Sequence, residues 1–179
     1  ANRNVEVTYK GNSIYEYDEY QGNIRIPSTV VFNGITYNVT GIGSQAFYGC
    51  RNLTEVTMPN SVKTIKYEAL ASCKNLKRIT IPNSVTAIED RFIFNSKNIE
   101  SIVVESGNTV YDSRNNCNAI VETATNKLLA GCKNSTIPGS VTTIGYYAFY
   151  NCNIKEIVLP NSVTTIENNA FNSCDSIKT

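Results

Sequence analysis

Apolar residues recur along this chain with a period far longer than that of a single helix or strand. Val39, Val62 and Val85 are evenly spaced, and Val141 and Val163 keep almost the same interval. Ile42, Ile65, Ile88, Ile144 and Ile166 each follow one of these valines by three positions. Phe47, Leu70, Phe149 and Phe171 keep the same beat, as do Pro59, Pro82, Pro138 and Pro160. Self-similarity at a fixed period of roughly 20–50 residues marks a chain of stacked units, none of which can bury its apolar side alone.

Within each period the pattern shortens. In "LTEVTMP" at 53–59, "LKRITIP" at 76–82 and "IKEIVLP" at 154–160 the closing residues alternate, which predicts a strand with Val56 and Met58 inward and Thr57 outward. Leu53, Val56 and Met58 are spaced as in L-x-x-L-x-L, the strand signature of leucine-rich repeats. Proline ends each phrase because it has no N–H to give a ladder. The "NSV" that follows reads as a turn, with Asn and Ser bonding nearby backbone. A second short extended piece carries valine and isoleucine inward. "YEALASC" at 67–73 predicts a turn or two of helix, whose alanines allow close packing.

Two stretches break the period. The interval from Val85 to Val141 is more than twice the usual one, so one coil is enlarged, over 107–138. There "CNAIVE" and "KLLAGC" predict a hairpin around "TATN", with Val121 opposite Leu128, Ala119 opposite Ala130 and Cys117 opposite Cys132. The N-terminal stretch alternates instead, in "VEVTYK", "SIYEYDEY" and "TVVFNGITYNV", where Asn33-Gly34 suits a two-residue type I′ hairpin. Residues 1–38 read as a β cap over a repeat region at 39–179, the whole being effectively one domain, since an end coil would otherwise expose apolar side chains and unpaired backbone. At the other end "CDSIKT" stops where another strand phrase would begin. Either the natural chain continues, or another chain covers this coil, end-to-end self-association included.

Composition narrows the function. The 179 residues carry 16 basic and 15 acidic side chains, a net charge of +1, so electrostatics makes no case for nucleic acid or an anionic membrane. The chain has no histidine, which removes the commonest general base and the usual zinc or haem ligand. No apolar stretch approaches the roughly 18–20 residues that span a bilayer. The opening "ANRNVEVTYKGN" lacks the charged and apolar regions of a signal peptide, as in a soluble chain numbered after leader removal.

Cysteine is the most tempting chemistry. Cys50, Cys73, Cys152 and Cys174 hold one place in four coils, and Ser96 holds it in a fifth. This predicts a structural ladder of small buried residues rather than a metal site, which would need convergent C-x₂-C spacing or histidine. Cys117 and Cys132 lie off that column and are either a disulfide across the hairpin or two buried thiols. No catalytic residue, metal site or cofactor site is assigned. The pairs Glu89-Asp90 and Asp18-Glu19 read as solvated faces, because acid–base work needs carboxylates brought together with one pKa raised. Without histidine no Ser-His-Asp triad forms, and nothing resembles a nucleotide loop. Asn38, Asn52 and Asn134 open N-x-[ST] triplets that chance explains in so Asn-rich a chain. Tyr15, Tyr17 and Tyr20 fall in the cap and Tyr48, Tyr67, Tyr146, Tyr147 and Tyr150 in the arcs, where they read first as amphipathic filler and second as a recognition surface. A ligand surface on such a fold follows outward positions of adjacent strands: the row Glu55, Arg78, Ser101 and Glu156, and the next row Thr57, Thr80, Val103 and Val158.

The whole phrase C-x-N-L-x-x-I-T-I-P-N-S-V-T-x-I-x-x-x-A-F-x-x-C resembles the BspA-like leucine-rich repeat, over about 39–106 and 132–179. The resemblance implies a right-handed leucine-rich-repeat solenoid of α/β type with 22–23-residue coils. It also implies a secreted or cell-surface setting, in bacteria or some protists, and adhesion or binding in place of catalysis. Two functions follow: a binding module for a host protein, matrix or glycan, or a structural spacer within a larger surface protein.

Overall fold

The computed structural model describes residues 3–8 and 20–177. The expected cap residues Tyr15, Tyr17, Asp18 and Glu19 lie outside the described residues. In chain order the strands are β1 (Asn4–Val7), β2 (Gly22–Arg25), β3 (Thr29–Phe32), β4 (Ile35–Ile42), β5 (Leu53–Thr57), β6 (Thr64–Ile65) and β7 (Arg78–Ile81). They continue with β8 (Ala87–Ile88), β9 (Ser101–Val104), β10 (Tyr111–Asp112), β11 (Ala119–Glu122), β12 (Lys127–Gly131), β13 (Thr143–Ile144) and β14 (Thr165–Ile166).

The strand phrases pair in parallel as one sheet, β2-β5-β7-β9, with Glu55 opposite Arg78 and Arg78 opposite Ser101. The Val-Ile segments form another ladder, in which Ile42 pairs with Ile65 and Ile65 with Ile88. A third sheet, β10-β11-β12-β13-β14, holds the hairpin and the last two of these ladder positions. The periodic residues Val39, Val62, Val85 and Val141, with Ile42, Ile65 and Ile144, are buried between these layers. Ile166 is half exposed in the last ladder strand. At the N-terminal end Asn33 and Gly34 both have positive φ, 49° and 73°, and close the β3–β4 hairpin in the expected two-residue turn.

The arcs are where the helical expectation fails. Among the described residues the only helix is a short 3₁₀ turn, Arg114–Asn116. Each arc is a run of tight turns in which two residues four apart adopt positive φ: Gln45 and Gly49, Glu68 and Ser72, Arg91 and Asn95, Tyr147 and Asn151, Asn169 and Ser173. The hydrogen bonds explain this. In the first arc the amides of Ala46, Tyr48 and Cys50 bond back to Gly43, Gln45 and Phe47, while those of Gln45, Phe47 and Gly49 bond forward to Tyr67, Ala69 and Ala71 of the next unit. An α-helix would spend every amide on its own turn and leave the unit unattached on this side. With two left-handed residues in each arc, every second N–H is aimed at the neighbour, and those bonds offset the roughly 1–2 kcal/mol that a non-glycine residue loses in the left-handed region.

A second ladder is made by side chains. Ser61 donates to the Val39 carbonyl at 2.6 Å, Ser84 to Val62 at 2.6 Å and Ser162 to Val141 at 2.7 Å. The "NSV" serine therefore bonds the preceding unit, not its own turn. In the enlarged unit Asn108 takes this role, its amide donating to Val85 at 2.9 Å.

Candidate functional site

The thiol column comes from the same arithmetic of stacked arcs. Cys50, Cys73, Ser96 and Cys152 are buried and Cys174 is half-buried. The Cys73 thiol donates to the Phe47 carbonyl at 3.0 Å and the Cys174 thiol to Phe149 at 2.8 Å. Ser96 repeats the bond one unit on, donating to Leu70 at 2.9 Å while accepting from the Cys73 N–H at 2.9 Å. The position wants a small side chain with one donor, which thiol and hydroxyl both supply. Burial pushes the Cys73 thiol well up and the Cys152 thiol up to about 12, the opposite of what a nucleophile or metal ligand needs. No cluster of metal-ligating side chains forms among the described residues.

Cys132 also belongs to this column, which corrects the expected Cys117–Cys132 opposition. The Ser135 amide bonds the Cys132 carbonyl as Leu53 bonds Cys50 and Leu76 bonds Cys73. A bulge between Ile120 and Val121 keeps Val121 opposite Leu128 but moves Ala119 from Ala130 to Gly131. Cys117 then packs with Val141 and Phe149, whereas Cys132 packs with Ile99 and Ile120, and both are thiols. A signal for this lies in the sequence: Cys132-Lys133-Asn134 repeats Cys73-Lys74-Asn75, with the strand phrase after it shortened, since Pro138 follows Cys132 more closely than Pro82 follows Cys73.

That shortening shapes the strand face. Glu55, Arg78 and Ser101 do line up, and Thr80 pairs with Val103 in the exposed row beside them. Thr57 is exposed at the end of β5. Glu156 and Val158 are not in a strand. They face Ser135, Thr136 and Ile137 of the short phrase, which lacks the length to offer a full ladder. Val103 is 43% and Val158 74% exposed, so the hairpin covers neither.

On the opposite, arc side lies a cluster whose members the sequence pattern disperses among filler tyrosines and solvated acids. The first positive-φ position of successive arcs carries Gln45, Glu68, Arg91 and Tyr147. Gln45 donates to Glu68 at 3.0 Å, and Arg91 pairs with the buried Glu68 at 2.7 Å and donates to the Tyr67 hydroxyl at 2.8 Å. The guanidinium carbon sits 4.2 Å from the Phe94 ring centre and 5.2 Å from that of Tyr147. Phe94 stacks on Tyr150 at 4.3 Å, and the Asn151 amide donates to Asn95 at 2.5 Å. These partners come from arcs on either side of the enlarged unit, whose β12 stands between them and bonds the later one through the Gly131 amide to Ala148. A column of Gln, Glu, Arg and Tyr at one repeat position is the visible clue.

A family model described as BspA type Leucine rich repeat region matches residues 11–127 and 114–179, in six copies. No curated protein matches the chain. Among solved structures the chain is similar to the pneumococcal vaccine antigen PcpA, at 14% identity and TM-score 0.67, covering 97% of this chain and 62% of that one. A leucine rich cell surface protein from Faecalibacterium prausnitzii is similar at 21% identity and TM-score 0.61, over 90% of this chain and 53% of that one. A T. pallidum leucine rich repeat protein is similar at 24% identity and TM-score 0.53, over 98% of this chain and 62% of that one. The chain thus spans less than two thirds of each of these proteins, and the likeness is one of fold.

Proposed function

This chain belongs to the BspA-type leucine-rich-repeat family, and on that footing we propose that it is a non-catalytic binding or adhesion module of a secreted or cell-surface protein. Its ligand, a host protein, matrix component or glycan, meets the outward rows of the strand face. The observation that carries this reading is the alignment of Glu55, Arg78 and Ser101 beside the exposed pair Thr80 and Val103, a flat, mixed surface of the kind solenoids use for recognition. Glu156 and Val158 extend it beyond the short phrase. The names of the F. prausnitzii surface protein and the pneumococcal antigen support the setting. The lack of histidine and the raised thiols support a role without catalysis.

The architecture assumed is a right-handed solenoid of 22–23-residue coils at 39–179 with a β cap at 1–38. The ladder registers of Gly41 with Thr64 and Thr143 with Thr165, each one period apart, support it. The test is binding of the 179-residue chain to immobilised matrix proteins and to a glycan array, alongside an Arg78→Glu/Val103→Arg variant. Binding by the native chain that the variant loses, with its unfolding midpoint unchanged, is the expected result. Equal binding by both moves the ligand elsewhere. No binding by either leaves the segment as a structural spacer.

A further inference from the structure

An open cleft on the arc side is lined by Tyr67, Ile88, Glu89, Asp90, Arg91 and Tyr146. Tyr67 and Tyr146 are 38% and 37% exposed. We propose that this cleft binds a cationic side chain, a lysine or arginine, presented by a partner protein.

Charge complementarity selects the ligand. Among the described residues every cation around the cleft is already paired: Arg91 with Glu68 at 2.7 Å, Lys127 with Glu167 at 2.8 Å, and Lys66, which feels Glu89, with Glu6 at 2.9 Å. The two cleft carboxylates are not. Glu89 accepts one bond, from the Tyr67 N–H at 2.8 Å, and Asp90 has no hydrogen bond or ion pair among the described residues. Two tyrosine rings beside two carboxylates that have no ion pair among the described residues attract a cation through the ring quadrupole and through direct pairing. The protein already uses this chemistry next door, where Arg91 lies against Phe94, Tyr147 and Tyr67 with Glu68 as its counter-ion. A neutral sugar would stack on the same rings but leave the carboxylate charge unanswered. The site is separate from the strand-face rows and stands whether or not those rows bind.

The test is fluorescence anisotropy of a labelled tetra-lysine peptide, with tetra-glutamine as the control and chitotriose as the neutral competitor, on the 179-residue chain at low ionic strength. Saturable binding of tetra-lysine alone is expected. The double variant Glu89→Gln/Asp90→Asn and the single variant Tyr146→Leu should each weaken it about five- to tenfold, and half-molar salt should abolish it. The Arg78→Glu/Val103→Arg variant should bind as the native chain does, which keeps this site distinct from the strand face. Undiminished binding by the cleft variants, no binding of the peptide, or displacement by chitotriose would each overturn the proposal. Glu89→Gln keeps the acceptor for Tyr67, and circular dichroism on each variant separates lost binding from lost fold.

Discussion

The Ser96 hydroxyl lies between the N–H of Cys73 and the carbonyl of Leu70, 2.9 Å from each, and so joins two units that in other arcs are tied by a thiol. Removing it in Ser96→Ala leaves a buried donor and a buried acceptor apart. A loss of about 2 kcal/mol is expected, read from urea unfolding. Ser96→Cys should stay within about 1 kcal/mol of the native chain, because a thiol there can donate to the Leu70 carbonyl as the Cys73 thiol donates to Phe47.

Gly131 is fixed by space, not by φ. A Cβ there would run into the Phe149 ring, because Gly131 takes the place that Phe47 and Leu70 hold in other units: its amide bonds Ala148 as theirs bond Ala69 and Phe92. Gly131→Ala should cost about 1–3 kcal/mol through overpacking. Adding Phe149→Leu should recover part of that loss, so a double-mutant cycle would show coupling between the two.

Alkaline pH should destabilise the fold. Burial holds the Cys152 thiol up at about 12, while a thiol in an unfolded chain titrates near 8.5. Between those values the unfolded chain gives up a proton that the folded chain keeps, so stability is full below about pH 8.5 and falls as pH rises, by up to about 1.4 kcal/mol per pH unit for one fully linked group. Urea midpoints from about pH 7.5 to about pH 10.5 under reducing conditions should decline, and Cys152→Ser should flatten the decline.

A thiol assay in denaturant without reductant should count six sulfhydryls, since all six cysteines are thiols. Under native conditions Cys174, the least buried, should react first. A count of four would restore a bridge between two of them.

The repeat was legible because its cause is local and recurrent. Each inward Val and Ile meets its copy one period later, and the even spacing of Val39, Val62 and Val85 records that contact directly. The arcs were not legible as turns. "YEALASC" carries good helix formers, and the preference for helix was overruled by bonds from alternate amides to the next unit, which no window of one sequence stretch contains. The Cys117–Cys132 opposition is lost for a related reason: one extra residue in β12, Leu129, shifts every partner beyond it, and Cys132 answers to the column of Cys73 and Ser96 rather than to its hairpin mate. The outward row Glu55, Arg78 and Ser101 was readable from alternation alone. The cleft at Tyr67 and Tyr146 was not, because its walls come from units far apart in sequence.

By itself the sequence determined the unit, its period, its buried positions and the place where the period breaks, because burial of one apolar side per unit leaves a periodic mark on the chain. Tertiary structure decided how the arcs bond, which cysteine joins the column and where Tyr67, Tyr146, Glu89 and Asp90 come together. These depend on how the neighbours of the enlarged unit meet across it, and that contact exists only between chain segments that pattern cannot place side by side.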